Sequence, residues 1–282
     1  MPTFYSIRAH DGAVIRAARF EADGKASGVV QFVHGFGENL EHYADIAKQL
    51  AAHGYASVAY DQRGHGRMES LTSRQRRAAL GVSPSYNHLL EDLGSVRRDI
   101  CERYPGIPVI LYGHSMGGNV AVNYLLRFSQ ADHSMVVLES PWFRLYKPIN
   151  KMAFGAAKAI GMVSPRLTIN SRIDLSHLFK NPNRVDYIKN DKTYHSRISF
   201  RLVAEITEAG EYAIKNAGEI KTPTLLLCPS QDFVVCPVAM SELAKNSGES
   251  VVFKEYEDGY HCLRYDSISD RVMEDILKYI KG

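Results

Sequence analysis

The stretch VILYGHSMGGNVAVNYLL, residues 109–126, decides the fold. It begins as an apolar, β-branched run typical of a buried strand, passes through a serine flanked by glycines, and continues with helical periodicity. Its centre fits the pattern G-x-S-x-G, in which small residues permit a sharp turn from strand to helix and project the serine hydroxyl above the sheet edge. The pattern predicts a nucleophile at Ser115; a serine that only caps the helix is the alternative.

Apolar runs without polar alternation recur along the chain and are typical of strands buried on both faces. They occupy residues 28–33, 55–60, 108–112, 134–138, 223–228 and 250–256. Helical patterns separate most of them, at 42–53, 86–103, 116–128, 238–246 and 268–281. The alternation predicts the α/β class, with a mostly parallel, doubly wound sheet. An Asp-Gly turn between residues 3–9 and 13–20 predicts an additional antiparallel hairpin.

The interval 142–215 lacks a buried-strand signal and contains helical stretches separated by prolines. We expect an inserted helical cap there, above a core formed by residues 1–141 and 216–282. We expect this insertion to shape the substrate pocket beside Ser115. Trp142 and Phe143, which begin it, are therefore the candidate substrate-binding residues.

One helical stretch of the cap has an apolar face, and such a face usually belongs to a packed core. Its residues are Ile149, Met152, Ala153, Ala156, Ile160 and Val163. We expect this helix to pack on the body, with a lipid-facing surface as the alternative. Residues 142–215 also contain 13 Lys and Arg against 6 Asp and Glu, a charge of +7 where the whole chain has +3. The basic cap predicts contact with anionic lipid surfaces or substrates, with a solvated helical surface as the alternative.

Composition restricts the class of protein. The chain has 282 residues, of which 45% are hydrophobic and 23% charged, values typical of a globular protein. No run approaches the length of a membrane-spanning segment, and the amino terminus lacks a signal-peptide pattern, so we expect a cytoplasmic protein. Four cysteines form no CxxC pair, which predicts reduced thiols and neither a disulfide framework nor a metal site. We predict no cofactor and no nucleic-acid partner, and the sequence leaves the oligomeric state open.

A serine needs a base within hydrogen-bond reach and a third group that orients the base. Asp232 lies in the loop after the strand predicted at 223–228, and His261 in the loop after 250–256. The chain order Ser, Asp, His, each after a separate strand at the same edge of the sheet, predicts a catalytic triad of Ser115, Asp232 and His261. Glu139, which closes the strand 134–138, is the alternative acid.

The strand 28–33 ends in His34-Gly35-Phe36-Gly37-Glu38. A loop of this kind turns backbone N–H groups toward the nucleophile, where they stabilise a developing oxyanion. We assign the two donors to Phe36 and Met116, the latter directly after Ser115. A glycine-rich turn without a chemical task is the alternative.

Six motifs together resemble the monoglyceride lipase and lysophospholipase branch (serine aminopeptidase S33-like) of the α/β-hydrolases. They are His34–Glu38, Asp61-Gln62-Arg63-Gly64-His65-Gly66, Gly113–Gly118, Ser140-Pro141, Ser230-Gln231-Asp232 and Gly259-Tyr260-His261. The resemblance implies the α/β-hydrolase fold, ester hydrolysis without a cofactor, and a structural role for Asp61 and His65. The sequence departs from the branch at Arg67-Met68 and in the arginine-rich stretch before Gly81.

These observations predict a serine ester hydrolase that acts through an acyl-enzyme on a small, lipid-like ester. The resemblance favours monoacylglycerol, followed by lysophospholipid. Two other functions remain open: a serine aminopeptidase, for which Glu205, Glu208 and Glu211 of the cap offer carboxylates to a substrate ammonium, and a non-catalytic ligand-binding protein on the same scaffold.

Overall fold

The computed structural model describes residues 1–68, 71–128, 132–171 and 173–282. The strands are β1 Thr3–Arg8, β2 Val14–Phe20, β3 Gly28–Val33, β4 Tyr55–Tyr60, β5 Val109–His114, β6 Met135–Glu139, β7 Thr168–Asn170, β8 Arg197–Ser199, β9 Thr224–Pro229 and β10 Val251–Tyr256. The helices are α1 Ala44–Ala52, α2 Ser73–Ala79, α3 Tyr86–Arg103, α4 Met116–Arg127, α5 Lys151–Val163, α6 Pro182–Asn190, α7 Phe200–Lys215, α8 Pro237–Asn246 and α9 Ser269–Lys281.

Within the described residues, eight strands form one sheet in the order β1-β2-β4-β3-β5-β6-β9-β10. The pairs β1–β2 and β2–β4 are antiparallel, and the other pairs are parallel. Every residue of β3, β4, β5 and β9 is buried, because helices cover both faces of the sheet. The predicted α/β class, with a mostly parallel, doubly wound sheet and an amino-terminal hairpin, is confirmed.

Two apolar layers enclose the sheet. One contains Ile46 and Leu50 of α1 with Val272 and Ile276 of α9. The other contains the buried faces of α3, α4, α7 and α8. Because the parallel strands all end at one edge, the loops after β3, β5, β9 and β10 meet there.

Helix α7 is tied to the core through α4. Asn119 of α4 donates to the carbonyl oxygens of Trp142 (2.7 Å) and Ile206 (3.2 Å), and Asn123 donates to that of Ala209 (3.1 Å). The first residue of the predicted cap and its last helix are therefore held by one side chain of the core. The strands between them, β7 and β8, are not part of the eight-stranded sheet.

The interval 142–215 contains more than the helical stretches expected from the sequence. Strands β7 and β8 form a two-stranded antiparallel ribbon with Thr168 opposite Ser199. Each strand has only three residues, which is too short to produce a recognisable alternation in the sequence. In the arginine-rich stretch before Gly81, helix α2 begins at a capping box formed by Thr72 and Gln75.

Helix α5 does not bury the face expected from its sequence. Met152 and Val163 are 85% and 86% exposed, whereas Ala157 and Gly161 are buried. Gly161 lies so close to α7 that a Cβ there would be 2.7 Å from Arg201 Cα. The helix therefore packs through its small residues, which allow close approach. The prediction that this face packs on the body was wrong for Met152 and Val163, whereas Ile149 and Ile160 are partly buried. Among the described residues, no helix has the length and apolarity needed to cross a bilayer.

Candidate active site

Ser115 occupies a tight turn between β5 and α4. Its backbone φ is +51°, a left-handed value that is unusual for a residue with a side chain. The turn brings α4 very close to β3: a Cβ at Gly117 would lie 2.0 Å from the Val33 carbonyl oxygen. A Cβ at Gly118 would lie 2.8 Å from Pro141 Cβ. These contacts explain why glycines follow the serine and why its hydroxyl stands at the sheet edge.

The three residues predicted as a triad form one hydrogen-bonded chain. Ser115 Oγ lies 2.9 Å from His261 Nε2, and His261 Nδ1 lies 2.7 Å from Asp232 Oδ2. The other Asp232 oxygen accepts the backbone N–H groups of Val234 (2.8 Å) and Val235 (2.9 Å), which fix the carboxylate. All three side chains are buried. With the Nδ1 proton directed to Asp232, Nε2 is left to accept the serine proton.

Glu139, the alternative acid, has different partners. Its side chain accepts from Arg264 Nη1 (2.7 Å), the Arg264 backbone N–H (3.1 Å) and the Tyr112 hydroxyl (2.7 Å). Burial alone would raise the pKa of Glu139, but the Arg264 charge holds it below its usual value. The carboxylate is therefore ionised inside an ion pair, and Asp232 is the carboxylate on the imidazole.

The loop after β3 lies directly against the serine turn. A Cβ at Gly35 would be 3.2 Å from Ser115 Cβ and 2.8 Å from His114 Nδ1, so only glycine fits. The Gly35 N–H donates to Glu38 Oε2 at 2.7 Å, which fixes the loop. Phe36 lines the cavity that contains Ser115. Met116 is the first residue of α4, so its N–H is among those a helix leaves without an internal acceptor.

Of the two candidate substrate-binding residues, only Trp142 lines a cavity near Ser115. Trp142 lines both a narrow cavity of about 30 Å³ at Ser115 and a groove of about 810 Å³ beside it. Phe143 lines neither of them, because its side chain is fully buried. Its backbone also packs tightly against α7: a Cβ at Gly210 would lie only 1.9 Å from the Phe143 carbonyl oxygen. The assignment of Phe143 to substrate contact is not supported, because its side chain packs in the core.

The narrow cavity and the groove share an apolar wall. The shared residues are Phe36, Trp142, Leu145, Ile173 and Val234. Around the serine the wall continues with Leu178, Phe179 and Ile188 from the region between β7 and β8. An apolar channel with a few polar groups at one end is suited to a ligand with a hydrocarbon chain and one reactive polar group.

Three buried histidine rings, His34, His65 and His195, pack with Phe36 in edge-on and tilted contacts at the loop after β3. His65 lies 5.3 Å from His34 and 4.7 Å from His195, measured between ring centres. Burial lowers the pKa of His34 and His195 to about 4 and that of His65 well below its usual value. The rings are neutral near pH 7 and support the loop by packing. His195, which lies just before β8, was not found from the sequence because no motif contains it.

Asp61, for which the resemblance implies a structural role, fixes two backbone segments by accepting hydrogen bonds from their N–H groups. It accepts the N–H groups of Leu40 (2.9 Å) and Arg67 (3.2 Å) and pairs with Arg16 at 3.3 Å. A Cβ at Gly66 would lie 2.1 Å from Asp61 Cγ. These contacts give the Asp61–Gly66 motif its structural role.

Within the described residues, two groups bring three potential metal ligands together. His10, His88 and Glu91 lie at the surface, and Glu38, His114 and Cys262 are buried. In the buried group, Glu38 already accepts from Gly35 and His114, and burial raises the pKa of Cys262 well above its usual value. Ligand atoms engaged in hydrogen bonds and a protonated thiol do not fit a metal site.

The cap carboxylates considered for a peptidase are paired with other protein groups. Glu205 accepts the Tyr86 N–H (2.6 Å), Glu208 pairs with Lys158, and Glu211 pairs with Arg144. None of the three lines the narrow cavity or the groove. The structure does not bring them to the serine.

The sequence is similar to that of a known family and of several named proteins. A sequence model of the family described as serine aminopeptidase, S33, matches residues 24–267. An uncharacterized abhydrolase domain-containing protein of Dictyostelium discoideum is 27% identical over 259 residues; the match spans 91% of this chain but only 26% of that protein. A monoacylglycerol lipase of Mycolicibacterium smegmatis is 26% identical over 261 residues, covering 92% of this chain and 89% of the lipase.

A solved structure shares the fold. The crystal structure of a soluble variant of monoglyceride lipase from Saccharomyces cerevisiae, in complex with a substrate analog, matches with a TM-score of 0.86 at 22% identity. The match covers 99% of this chain and 94% of that one. It confirms the fold expected from the sequence.

Proposed function

Because the chain belongs to the serine aminopeptidase, S33, family of α/β-hydrolases, we propose that it is a serine ester hydrolase acting on monoacylglycerol-like or lysophospholipid-like esters. One observation carries the proposal: the Ser115–His261–Asp232 chain, at 2.9 Å and 2.7 Å, opens onto an apolar cavity. That arrangement matches the needs of acyl transfer from an ester with a hydrocarbon chain.

In the proposed mechanism His261 removes the Ser115 proton as Oγ attacks the ester carbonyl carbon. The N–H groups of Phe36 and Met116 stabilise the negative oxygen that forms. His261 then returns the proton to the leaving alcohol, which leaves an acyl group on Ser115. Water, deprotonated by the same imidazole, releases the acid. Asp232 orients the imidazole and stabilises its positive charge throughout.

The substrate assignment rests on two supports. The apolar groove of about 810 Å³ beside the narrow cavity has room for an acyl chain. The similar M. smegmatis protein is named a monoacylglycerol lipase. Both supports favour a single-chain lipid ester, and Trp142 is the residue we assign to substrate contact.

A substrate panel tests the proposal. Monoacylglycerols, lysophospholipids, nitrophenyl esters and aminoacyl arylamides are offered to the wild-type protein and to Ser115→Ala. We expect hydrolysis of the single-chain esters and its loss in the variant, together with fluorophosphonate labelling of Ser115 in the wild type only. Arylamide release faster than ester hydrolysis would favour the peptidase, and the absence of both hydrolysis and labelling would favour a ligand-binding protein.

We propose that residues 142–215 form a cap on a core of residues 1–141 and 216–282. The elements from α5 to β8 support this division, because they contribute no strand to the eight-stranded sheet. Helix α7 joins the two parts, since it packs on α4.

We place the protein in the cytoplasm, which the four free cysteines support.

The outer surface of the cap supports contact with an anionic membrane. Met152, Met162 and Val163 of α5 are exposed, and Leu167 and Ile169 continue the apolar surface along the chain. Basic residues accompany them: Lys147, Lys151 and Arg166. An apolar helix face with cations beside it has the composition of a helix that lies at a lipid surface. A cap docked there would bring the groove to the place where single-chain lipids dissolve.

A further inference from the structure

A buried cluster of three charges lies beside the proposed triad and takes no part in its proton transfer. Arg264, three residues after His261, pairs with Glu139 at 2.7 Å and also with Glu38. The side chains of Arg264 and Glu139 are 3% and 0% exposed. Burial would lower the pKa of Arg264, but the two carboxylates raise it well above its usual value. The Arg264 charge in turn holds the pKa of Glu38 and of Glu139 below their usual values despite burial, so all three groups are charged.

The arginine has little freedom to move. Its guanidinium lies 4.7 Å from the centre of the Tyr43 ring and 4.8 Å from that of Tyr265. In its planar guanidinium group, Nη1 donates to Glu139 and Nη2 donates to Glu38. The single ammonium of a lysine does not reproduce this geometry.

Each glutamate connects a different catalytic loop to this arginine. Glu38 Oε2 accepts from the Gly35 N–H of the proposed oxyanion loop (2.7 Å), from His114 Nδ1 beside the nucleophile (3.0 Å) and from the Tyr43 hydroxyl (3.0 Å). The Glu139 carbonyl oxygen accepts the Ser115 N–H at 3.0 Å, while its side chain accepts the Arg264 N–H at 3.1 Å.

We propose that Arg264 is a positioning residue that locks the His261 loop to the oxyanion loop through Glu38 and to the nucleophile turn through Glu139. The inference rests on the proposed ester hydrolysis. Arg264 lies outside the narrow cavity and the groove, so it acts on the geometry of the reacting groups and not on ground-state binding. Displacements of about 1 Å between such groups lower the rate of the chemical step roughly 100-fold.

The test compares Arg264→Lys with a matched control, Arg63→Lys. Arg63 also bridges two carboxylates, Asp11 and Asp92, but makes no contact with the triad. We expect Arg264→Lys to lower kcat roughly 10- to 100-fold, with KM within about twofold, and to slow fluorophosphonate labelling of Ser115 by a similar factor. Arg63→Lys keeps kcat within about twofold. Rates are normalised to folded protein by near-UV circular dichroism.

Two milder variants keep the inference testable if Arg264→Lys does not fold. Tyr112→Phe and Tyr43→Phe each remove one hydroxyl from Glu139 or Glu38 without changing a charge. We expect kcat to fall several-fold with KM unchanged. Wild-type kcat in Arg264→Lys, or in both tyrosine variants, would overturn the inference, as would a change confined to KM. A wild-type protein that hydrolyses no ester contradicts the proposed function instead, so the two failures are distinguishable.

Discussion

At the scale of single residues, two buried carboxylates at the same sheet edge have different tasks because they have different neighbours. Asp232 accepts two backbone N–H groups and the imidazole of His261. Glu139 accepts from an arginine and a tyrosine. The sequence offers both as acids for the triad, and only the contacts separate them.

Replacing each carboxylate with its amide separates the two roles. We expect Asp232→Asn to lower kcat about 10⁴-fold, because an amide at this position favours the wrong imidazole tautomer. Glu139→Gln has a smaller effect on kcat and a larger one on stability, since it leaves Arg264 with one buried carboxylate fewer. Steady-state ester hydrolysis measures kcat of both variants, and thermal unfolding measures their stability. Equal losses of kcat in the two variants would contradict the assignment of Asp232 as the acid.

Residues within a local motif were predictable from the sequence, whereas residues that act through distant contacts were not. Ser115 and His261 each follow a recognisable strand, so their position at the sheet edge follows from the pattern. Arg264 was missed because arginines are normally exposed, and its burial depends on Glu38 and Glu139 from other loops. Phe143 was misplaced because an aromatic residue at the start of an insertion can face either the pocket or the core.

At the scale of elements, α5 shows how a helix with apolar residues on most of its surface can be misinterpreted. Its packing is decided by Gly161 and Ala157 against α7, since small residues allow the helix axes to approach. Met152, Met162 and Val163 then remain exposed. Sequence periodicity identified the helix but not which of its faces would be covered.

The exposed face of α5 yields a prediction about membrane binding. We expect the protein to co-sediment with vesicles that contain anionic lipid, and binding to weaken with salt and in the double variant Met162→Gln, Val163→Gln. Val238→Gln with Val252→Gln is the control, because these residues are also exposed but belong to the proposed core and not to the proposed cap. The surface assignment fails if vesicle binding is absent, insensitive to anionic lipid, or equally reduced in both double variants.

At the scale of the whole molecule, stability depends on keeping several histidines uncharged. Burial lowers the pKa of four of them from 6.5: to about 4 for His34 and His195, to about 3 for His133, and well below the usual value for His65. Between about pH 6.5 and 4 the unfolded chain binds protons that the folded chain excludes. The free energy of unfolding therefore falls as the pH decreases through this window.

Chemical denaturation at pH 7.5, 6 and 5 measures this effect. Each such histidine contributes a slope of up to about 1.4 kcal/mol per pH unit. We expect His133→Gln to reduce the dependence of the unfolding free energy on pH by about the contribution of one histidine, because the variant removes one buried group with a lowered pKa. His133 is chosen because it contacts Gln31 in the core and lies outside the proposed site. The exposed His53, changed to Gln, serves as the control. A slope unchanged in His133→Gln would contradict the assignment.

The hydrogen bonds of Asn119 to both ends of the proposed cap have a consequence for how this scaffold diversifies. Both Trp142 at the start of the insertion and Ile206 of its last helix are held by that single amide. An insertion whose two ends are fixed side by side can change in length at a small entropic cost, because closing a longer loop adds only about 0.6 kcal/mol per doubling. New substrate ranges can therefore arise through exchange of the intervening segment, while the register of the sheet and the machinery on it are inherited intact.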